Sequence, residues 1–382
     1  MDLNVKDICL IVTYRCNARC AMCNVWKNPS VPSDEISLKE FEKLPFGMNG
    51  LNLTGGEPTL RADLADIVDL LYPRTAKFEI SSNGLLPEKL YPIIKKYPDI
   101  MIRFSIEGFE DTSNLIRGEK NGFQIKLNGL RKLRELGGTD LGFAITIQDE
   151  NVDQLVPLFE FADKNCFELS TSTVHNGFQF HKNDNVLYDR LRTAGYIENL
   201  ITAQLKTNSV KKWFRGYLNL GIVARVLGHD RLLPCTAGTD FIFVDPWGDV
   251  YACNVRPDLK LGNLVDQSWH EITNGPAMQD VRQKVAACKQ NCWMVGSAKT
   301  AMRHPRFTRL PNWTPLMWVI ENKLRVMLGG KINFNRYIDH TKVYQDPVIV
   351  PREPYSSSHP VKRKVQQKED VHYVQPGGYD NR

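Results

Sequence analysis

Residues 13–26 read Thr-Tyr-Arg-Cys-Asn-Ala-Arg-Cys-Ala-Met-Cys-Asn-Val-Trp, and they hold Cys16, Cys20 and Cys23 in the spacing C-x3-C-x2-C. The chain has nine cysteines, an odd number, which favours metal binding or catalysis over a disulfide framework. Three thiolates can ligate three irons of a cubane [4Fe–4S] cluster and leave the fourth iron open. An open metal position is typical of a reactive site, because a structural site is closed by protein ligands.

The sequence around this stretch has the alternation of a parallel α/β sheet. Short β-branched apolar runs alternate with amphipathic helical segments up to about residue 175. The predicted strands are residues 8–13, 50–53, 77–81, 101–106, 141–147 and 167–173, and the predicted helices are residues 37–43, 64–71, 86–96, 124–136 and 152–164. Six strands with right-handed crossovers form a sheet or partial (β/α)6 TIM-like barrel, whose functional face is at the carboxyl ends of the strands.

The pattern changes further along the chain, where residues 185–230 read as helices that bridge two lobes. Residues 241–253 alternate around a Pro-Trp-Gly-Asp turn, which predicts a β-hairpin, and a strand at 261–264 and a helix from Ser268 follow. The predicted organisation is a barrel over 1–184, a helical bridge over 185–230, a small hairpin-plus-helix domain over 231–300, a helical extension over 301–340 and a disordered tail over 341–382.

Composition and charge narrow the class of protein. Of the 382 residues, 42% are hydrophobic and 24% are charged, as is usual for soluble globular proteins. The net charge of +6 gives no focused basic patch of the kind that nucleic-acid binding needs. The first residues lack the features of a signal peptide, and no apolar run reaches the roughly 20 residues that span a bilayer. We therefore expect a cytoplasmic protein that does not bind nucleic acid.

Residues 313–328 carry apolar side chains at helical spacing with Lys and Arg interleaved, and they follow a basic stretch at 303–309. A helix of this kind packs on its own protein, or it lies on a membrane surface or binds an acidic partner. The sequence leaves both alternatives open.

The cysteine stretch resembles the signature of the radical S-adenosylmethionine (radical SAM) superfamily, in which an apolar or aromatic residue, here Met22, precedes the last cysteine. The resemblance implies that the open iron binds the amino and carboxylate groups of S-adenosylmethionine (SAM), with Met22 near the adenine. It further implies that an electron from an external donor of the flavodoxin or ferredoxin type cleaves SAM to a 5′-deoxyadenosyl radical, which abstracts hydrogen from a substrate. A zinc site is the alternative, although zinc usually takes four protein ligands from C-x2-C pairs.

Two later segments resemble SAM-binding motifs of the same superfamily. Leu-Thr-Gly-Gly-Glu-Pro follows the second predicted strand and looks like the GGEP motif, which implies that Gly55, Gly56 and Glu57 bind the methionyl ammonium. Ile-Ser-Ser-Asn-Gly, residues 80–84, ends another predicted strand, and the resemblance implies that Ser82 and Asn83 reach the ribose. Taken alone, a Gly-Gly turn is more often only a turn.

Three further residues follow from the same resemblance. Ser105 and Glu107 end the next strand and would face SAM, although Glu stands where the family often has Asp. Arg117 lies where many relatives keep an arginine near the SAM carboxylate, a partner that suits a guanidinium. The alternative for Arg117 is a solvated loop arginine.

The second group of cysteines is Cys235, Cys253, Cys288 and Cys292, which are enough to ligate one cubane cluster fully. Gly248 and Cys253, five residues apart at the end of the predicted hairpin, resemble a motif of the SPASM/twitch extension of radical SAM enzymes. The count of four fits the truncated twitch form with one auxiliary [4Fe–4S] cluster. Structural zinc is the competing interpretation, because four thiolates also suit zinc. Cys9 and Cys166 read as ordinary buried cysteines.

The leading hypothesis is a radical SAM enzyme that acts on a small molecule such as a sugar-like alcohol, because a four-cysteine site with C-x17-C occurs among relatives with that chemistry. A peptide or protein maturase is the alternative. Peptide-modifying relatives commonly carry an N-terminal winged-helix element, whereas only about seven residues precede the first predicted strand here. A non-catalytic iron–sulfur redox or scaffold protein is a hypothesis of another class.

Overall fold

A nine-stranded sheet runs through the computed structural model, which describes residues 7–303 and 315–344. Its strands are β1 Asp7–Ile11, β2 Gly50–Thr54, β3 Phe78–Ser82, β4 Met101–Ser105, β5 Leu141–Ile147, β6 Glu168–Thr173, β7 Phe241–Val244, β8 Asp249–Tyr251 and β9 Lys260–Asn263. The strand order across the sheet is β6-β5-β4-β3-β2-β1-β7-β8-β9.

Helices connect the parallel strands and cover the sheet. They are α1 Leu38–Phe41, α2 Leu64–Leu71, α3 Tyr91–Lys96, α4 Glu110–Arg117, α5 Gly122–Glu135, α6 Leu155–Lys164, α7 Arg190–Lys206, α8 Val210–Val226, α9 Trp269–Asn274, α10 Pro276–Ala286, α11 Val295–Arg303 and α12 Pro315–Met327. In α2, the apolar residues Leu64, Ile67, Val68 and Leu71 recur at helical spacing and are all buried. Such an apolar stripe is the face of the helix that packs toward the core of the protein.

The first six strands form the predicted partial barrel. Each strand from β1 to β6 pairs in parallel with its neighbour in chain order. The bounds of β5 agree with the prediction, and the ends of the other five strands shift by at most two residues. The predicted fold class, α/β with a parallel sheet of the partial-barrel type, is therefore confirmed. Helices α4, α10 and α11 were not predicted.

The predicted hairpin extends the sheet of the barrel. Strand β7 pairs in parallel with β1, with Asp7 opposite Phe241 and Leu10 opposite Val244, and β8 and β9 follow in antiparallel pairing. Because β7 and β1 run in the same direction, the turn at residues 245–248 lies at the same edge of the sheet as the loop that follows β1.

Helices α7, α8 and α12 pack together beside the barrel. Trp318 of α12 is buried, and its ring lies 5.6 Å from Tyr217 of α8 and 6.2 Å from Tyr337. The apolar pattern at 313–328 therefore packs one of its faces on this protein. Among the described residues, no helix is long and apolar enough to cross a membrane.

Some predictions fall outside the described residues. These are the tail from residue 345 to 382 and most of the basic stretch at 303–309. The prediction for Cys166 was wrong, because this residue is exposed in a left-handed turn with φ of 56°. Cys9 lies in β1, where burial raises the pKa of its thiol to about 12.

Candidate active site and auxiliary cysteine site

The loop that follows β1 carries the first three cysteines and contains neither helix nor strand from residue 12 to residue 24. Its backbone is fixed on the carboxyl end of α4. The N–H groups of Arg19 and Ala21 donate to the carbonyls of Arg117 and Ile116, at 3.0 and 2.9 Å. Side chains that leave α4 and its following turn can therefore approach the cysteines closely.

The three thiols of this loop influence one another. Burial raises the pKa of Cys16 to about 11 and that of Cys23 to about 12, and the Cys20 thiol adds to both shifts. Burial also raises the pKa of Cys20, against the opposing effect of the Arg117 guanidinium. Within residues 7–303 and 315–344, no three His, Cys, Asp or Glu side chains are arranged to hold a single metal ion. Since iron–sulfur ligands are thiolates, cluster binding here must displace the thiol protons.

The glycine pair after β2 packs directly on the cysteine loop. Gly56 N–H donates to the Thr13 carbonyl and Glu57 N–H to the Arg15 carbonyl, both at 2.8 Å. A Cβ atom on Gly55 would lie 2.5 Å from the Thr13 oxygen, and one on Gly56 would lie 2.4 Å from the Arg15 oxygen. The sequence predicts a close approach to a ligand, whereas the close contacts here are with the backbone of residues 13–15.

The Glu57 carboxylate is fully buried and binds two other predicted site residues. Its Oε1 accepts from Ser82 Oγ at 2.8 Å, and its Oε2 accepts from the Asn83 backbone N–H at 2.6 Å. Asn83 Nδ2 in turn donates to Asn17 Oδ1 at 2.6 Å and lies 3.9 Å from Cys16 Sγ. Glu57 therefore fixes the end of β3 against the cysteine loop.

Glu107 and Arg117 form a buried ion pair at the end of β4. Arg117 Nη1 donates to Glu107 Oε1 at 2.8 Å, and the Thr146 N–H donates to Oε2 at 2.7 Å. Burial raises the pKa of Glu107 to about 7, although Arg117 opposes this. Arg117 is only 6% exposed, which excludes the alternative of a solvated loop arginine.

This ion pair continues into residues that the sequence analysis missed. Arg117 Nε donates to Glu119 Oε1 at 3.1 Å, and the Lys126 ammonium binds the other Glu119 oxygen. Lys126 is fully buried, which lowers the pKa of its ammonium to about 8. Burial disfavours the charged form of Arg117, but Cys20, Glu107 and Glu119 outweigh this and raise its pKa. The segment Glu-Lys-Asn-Gly reads as a surface turn, so its pattern gives no signal for these contacts.

The other predicted site residues lie at the same edge of the sheet. Met22 is half-buried, and its carbonyl accepts from Asn185 Nδ2 at 3.1 Å. Ser105 is half-buried at the end of β4, where it pairs with Ala144 of β5. The structure thus brings all the residues predicted for the first site onto β1–β4, α4 and the loops that follow them.

The turn of the hairpin, residues 245–248, also contacts the cysteine loop. The buried ring of Tyr14 lies 5.1 Å from Trp247 in that turn and 5.3 Å from His181. The Asn24 N–H donates to the Phe180 carbonyl at 2.9 Å. Residues that follow β6 and β7 thereby hold the two ends of the loop.

The second group of cysteines also converges. Burial raises the pKa of Cys253 to about 12, and the Cys292 and Cys235 thiols add to this shift. Burial raises the pKa of Cys292 as well, with Cys235 and Cys288 contributing. The Val255 N–H lies 3.3 Å from Cys253 Sγ as a donor. Each of the four thiols beside β8 therefore influences, or is influenced by, the charge of at least one other.

Three arginines flank this second space. Arg231 Nη1 donates to the Cys292 carbonyl and its Nε to the Leu233 carbonyl, while its buried Nη2 has no hydrogen-bond partner among the described residues. Arg231 and Arg225 both oppose the rise in the pKa of Cys292. The pKa of Arg256 is raised by Asp258 and also by the Cys288 thiol. A buried guanidinium N–H without a partner beside four thiols fits an anionic cluster.

Two stretches of the chain match known families. Residues 10–162 match the radical SAM superfamily, and residues 235–293 match SPASM, an iron–sulfur cluster-binding domain. Fe-coproporphyrin III synthase of Methanosarcina barkeri is 28% identical over 161 residues, which is 40% of this chain and 40% of that relative. Sporulation killing factor maturation protein SkfB of Bacillus subtilis is 24% identical over 293 residues, 73% of this chain and 67% of SkfB.

The solved structure of Streptococcus suis SuiB bound to S-adenosylmethionine has the same fold. It superposes with a TM-score of 0.54 at 16% identity, over 75% of this chain and 72% of SuiB. The SPASM match spans Cys235, Cys253, Cys288 and Cys292, and it favours a cluster over zinc at this site.

Proposed function

The chain is a radical SAM enzyme with a SPASM domain, and we propose that it cleaves SAM reductively and modifies a peptide by hydrogen abstraction. The observation that carries the proposal is the placement of three cysteines on one short loop at the carboxyl edge of the barrel, which α4 and the glycine pair fix in position. Three cysteine ligands leave one iron of a cubane cluster available to SAM.

In this proposal, Cys16, Cys20 and Cys23 hold the first cluster. When it is bound, that cluster supplies the electron that cleaves SAM to the radical that takes hydrogen from the substrate. Gly55 and Gly56 allow the turn after β2 to pack closely on the cysteine loop. The SAM ammonium would bind beside these two glycines and Glu57.

The remaining predicted residues orient SAM. Ser82 and Asn83 are both fixed by Glu57, and the Asn83 side-chain amide lies next to Cys16, where the ribose would bind. Arg117 is fixed by two carboxylates and attracts the SAM carboxylate to the same edge. Met22, next to Cys23, would lie near the adenine, and Ser105 at the end of β4 would face SAM.

Cys235, Cys253, Cys288 and Cys292 hold the auxiliary cluster, which would accept an electron as the substrate radical is quenched. The chain contributes four thiols and the guanidinium groups of Arg225, Arg231 and Arg256 around it. An external electron donor of the flavodoxin or ferredoxin type would reduce the first cluster.

The relatives guide the choice of substrate class. SkfB is a maturation protein, and its alignment covers 73% of this chain, which supports a peptide as substrate over the small molecule favoured by the sequence alone. A small biosynthetic intermediate is the second candidate, supported by the Fe-coproporphyrin III synthase and by an AdoMet-dependent heme synthase of Methanosarcina barkeri, whose alignments cover 40% and 68% of this chain.

Two measurements test the proposal. Anaerobic protein that is reduced with dithionite in the presence of SAM should release 5′-deoxyadenosine and methionine. If it releases neither, while both clusters are present by iron and sulfide analysis, the chain is a non-catalytic iron–sulfur protein.

The second measurement tests the substrate class. A peptide fraction from the source organism should raise the release of 5′-deoxyadenosine more than a fraction of small metabolites does. A rise with the metabolite fraction alone would replace the peptide by a small molecule.

A further inference from the structure

The outer face of α12 is apolar and exposed. Leu316, Ile320, Leu324 and Met327 recur at spacings of three and four residues, so they lie on one face of the helix. Together with Leu328 they are between 45% and 86% exposed. Of the 16 large hydrophobic side chains exposed in the described residues, six lie within residues 316–328. Such a concentration marks an interaction surface.

The opposite face of α12 packs on the protein and is hydrogen-bonded to it. Lys323 Nζ donates to the carbonyls of Leu205 and Thr207, both at 2.9 Å, and lies 4.7 Å from the ring centroid of Trp213. Asn322 Nδ2 donates to the Tyr337 hydroxyl at 3.0 Å. The helix therefore has a fixed orientation, and its exposed stripe does not result from missing packing on the inner face.

The surroundings of the stripe are basic. Besides Lys323, which is buried on the inner face, residues 315–336 contain three Lys or Arg residues and a single acidic residue, Glu321. Glu321 accepts from Arg325 at 3.2 Å and also binds Arg336, so its charge is shared by two guanidinium groups. Lys331 is exposed just beyond the helix. An apolar stripe beside cationic side chains is the pattern of a helix that lies at the surface of an anionic bilayer.

We propose that the outer face of α12 docks this enzyme on an anionic lipid surface, with Leu316, Ile320, Leu324, Met327 and Leu328 inserted among the lipids. A second copy of the chain fits this face less well, because a two-fold interface would set the same basic side chains against each other. The residues from 345 to 382 offer no strong negative charge, since they contain six basic and five acidic residues.

Vesicle sedimentation tests the docking surface without any measurement of catalysis. The full-length protein should sediment with vesicles of phosphatidylcholine and phosphatidylglycerol, much less with phosphatidylcholine alone, and less as the salt concentration rises. The double variant L316E/L324E should lower the bound fraction at least about tenfold. The matched control is V186E/L191E, which places the same charges at positions that are each 53% exposed on another surface.

The controls decide between the occupants of this face. The proposal is overturned if the wild-type protein ignores anionic vesicles, or if L316E/L324E binds them as well as V186E/L191E does. It is also overturned if light scattering shows a dimer that only L316E/L324E dissociates, because the face would then belong to a second copy. Equal secondary structure in both double variants by circular dichroism excludes misfolding.

Discussion

The two cysteine sites differ in how their surrounding charge is arranged. Near Cys20, the cations Arg117 and Lys126 alternate with the carboxylates of Glu107 and Glu119 in one buried network. Near Cys292, Arg225 and Arg231 act on the thiols, and Arg256 adds a third cation that Asp258 partly balances.

Charge around a cluster is one of the factors that set its reduction potential. The network near Cys20 is balanced, and the buried Glu57 carboxylate adds a negative charge near Cys16. The cationic surroundings of the second site favour the reduced, more negative state of its cluster. This difference is consistent with the proposed electron delivery at the first site and the proposed electron uptake at the second.

The largest expected effect separates the two sites by function. Cys20→Ala should reduce 5′-deoxyadenosine release to the background of enzyme-free controls, whereas Cys253→Ala should retain part of it and lose product formation. Cys166→Ala is the matched control, because this cysteine is exposed and belongs to neither group. Equal loss of SAM cleavage in C20A and C253A, measured by chromatography, would remove the distinction between the sites.

The next effect concerns the balance of charge at the first site. Lys126→Met leaves the buried Glu119 carboxylate with Arg117 as its remaining cation, and we expect a loss of about 3–5 kcal/mol in the free energy of unfolding. Urea unfolding measures this loss. The exposed pair of Lys132 and Glu135 is the control, since K132M should cost less than about 1 kcal/mol. Partial recovery in E119Q/K126M would confirm that the excess buried negative charge causes the loss, and no recovery would refute it.

A smaller effect tests the close packing of Gly56 on the loop that carries the first three cysteines. Gly56→Ala forces a Cβ atom onto the Arg15 carbonyl, so we expect about 1–3 kcal/mol of destabilisation and a lower iron content at the first site. Gly195→Ala in α7 is the control, because nothing lies within 4 Å of the position that its Cβ atom would take and alanine favours a helix by roughly 0.5–1 kcal/mol. Normal iron content in G56A would show that the loop tolerates the displacement.

The smallest effect tests the cations of the second site. Arg225→Gln should lower the midpoint potential of the auxiliary cluster by about 59 mV, a tenfold change in its one-electron equilibrium. Arg225→Lys should restore most of the shift, since it keeps the charge. Redox titration followed by electron paramagnetic resonance measures the potential.

A second arginine on the same helix supplies the control for this shift. Arg225 Nε donates to Thr173 Oγ1 of β6 at 3.2 Å, and Arg215 Nη1 donates to Ser170 Oγ of the same strand at 2.9 Å. Arg215 lies ten residues earlier, roughly 15 Å along the helix axis. If R215Q lowered the potential as much as R225Q, a general packing effect would explain both.

The sequence predicts those parts of the molecule that depend on local pattern. The six barrel strands follow from apolar runs, and the two cysteine groups follow from spacing. What it misses depends on tertiary contact: the burial of Lys126, the pairing of Glu119 with Arg117, and the packing of Gly56 on the Arg15 carbonyl. Helix α4 was missed because its sequence, Glu-Asp-Thr-Ser-Asn-Leu-Ile-Arg, is mostly polar and has only two apolar residues, Leu115 and Ile116.

The parallel pairing of β1 with β7 bears on how such proteins can be recombined. Strand β1 is hydrogen-bonded on both sides, to β2 and to β7. A fragment that stops after residue 230 would lack β7, so β1 would become an edge strand with unpaired backbone N–H and C=O groups. Such an edge promotes aggregation. A chimera between relatives should therefore exchange β7 together with the barrel, and place its crossover within the turn at residues 245–248.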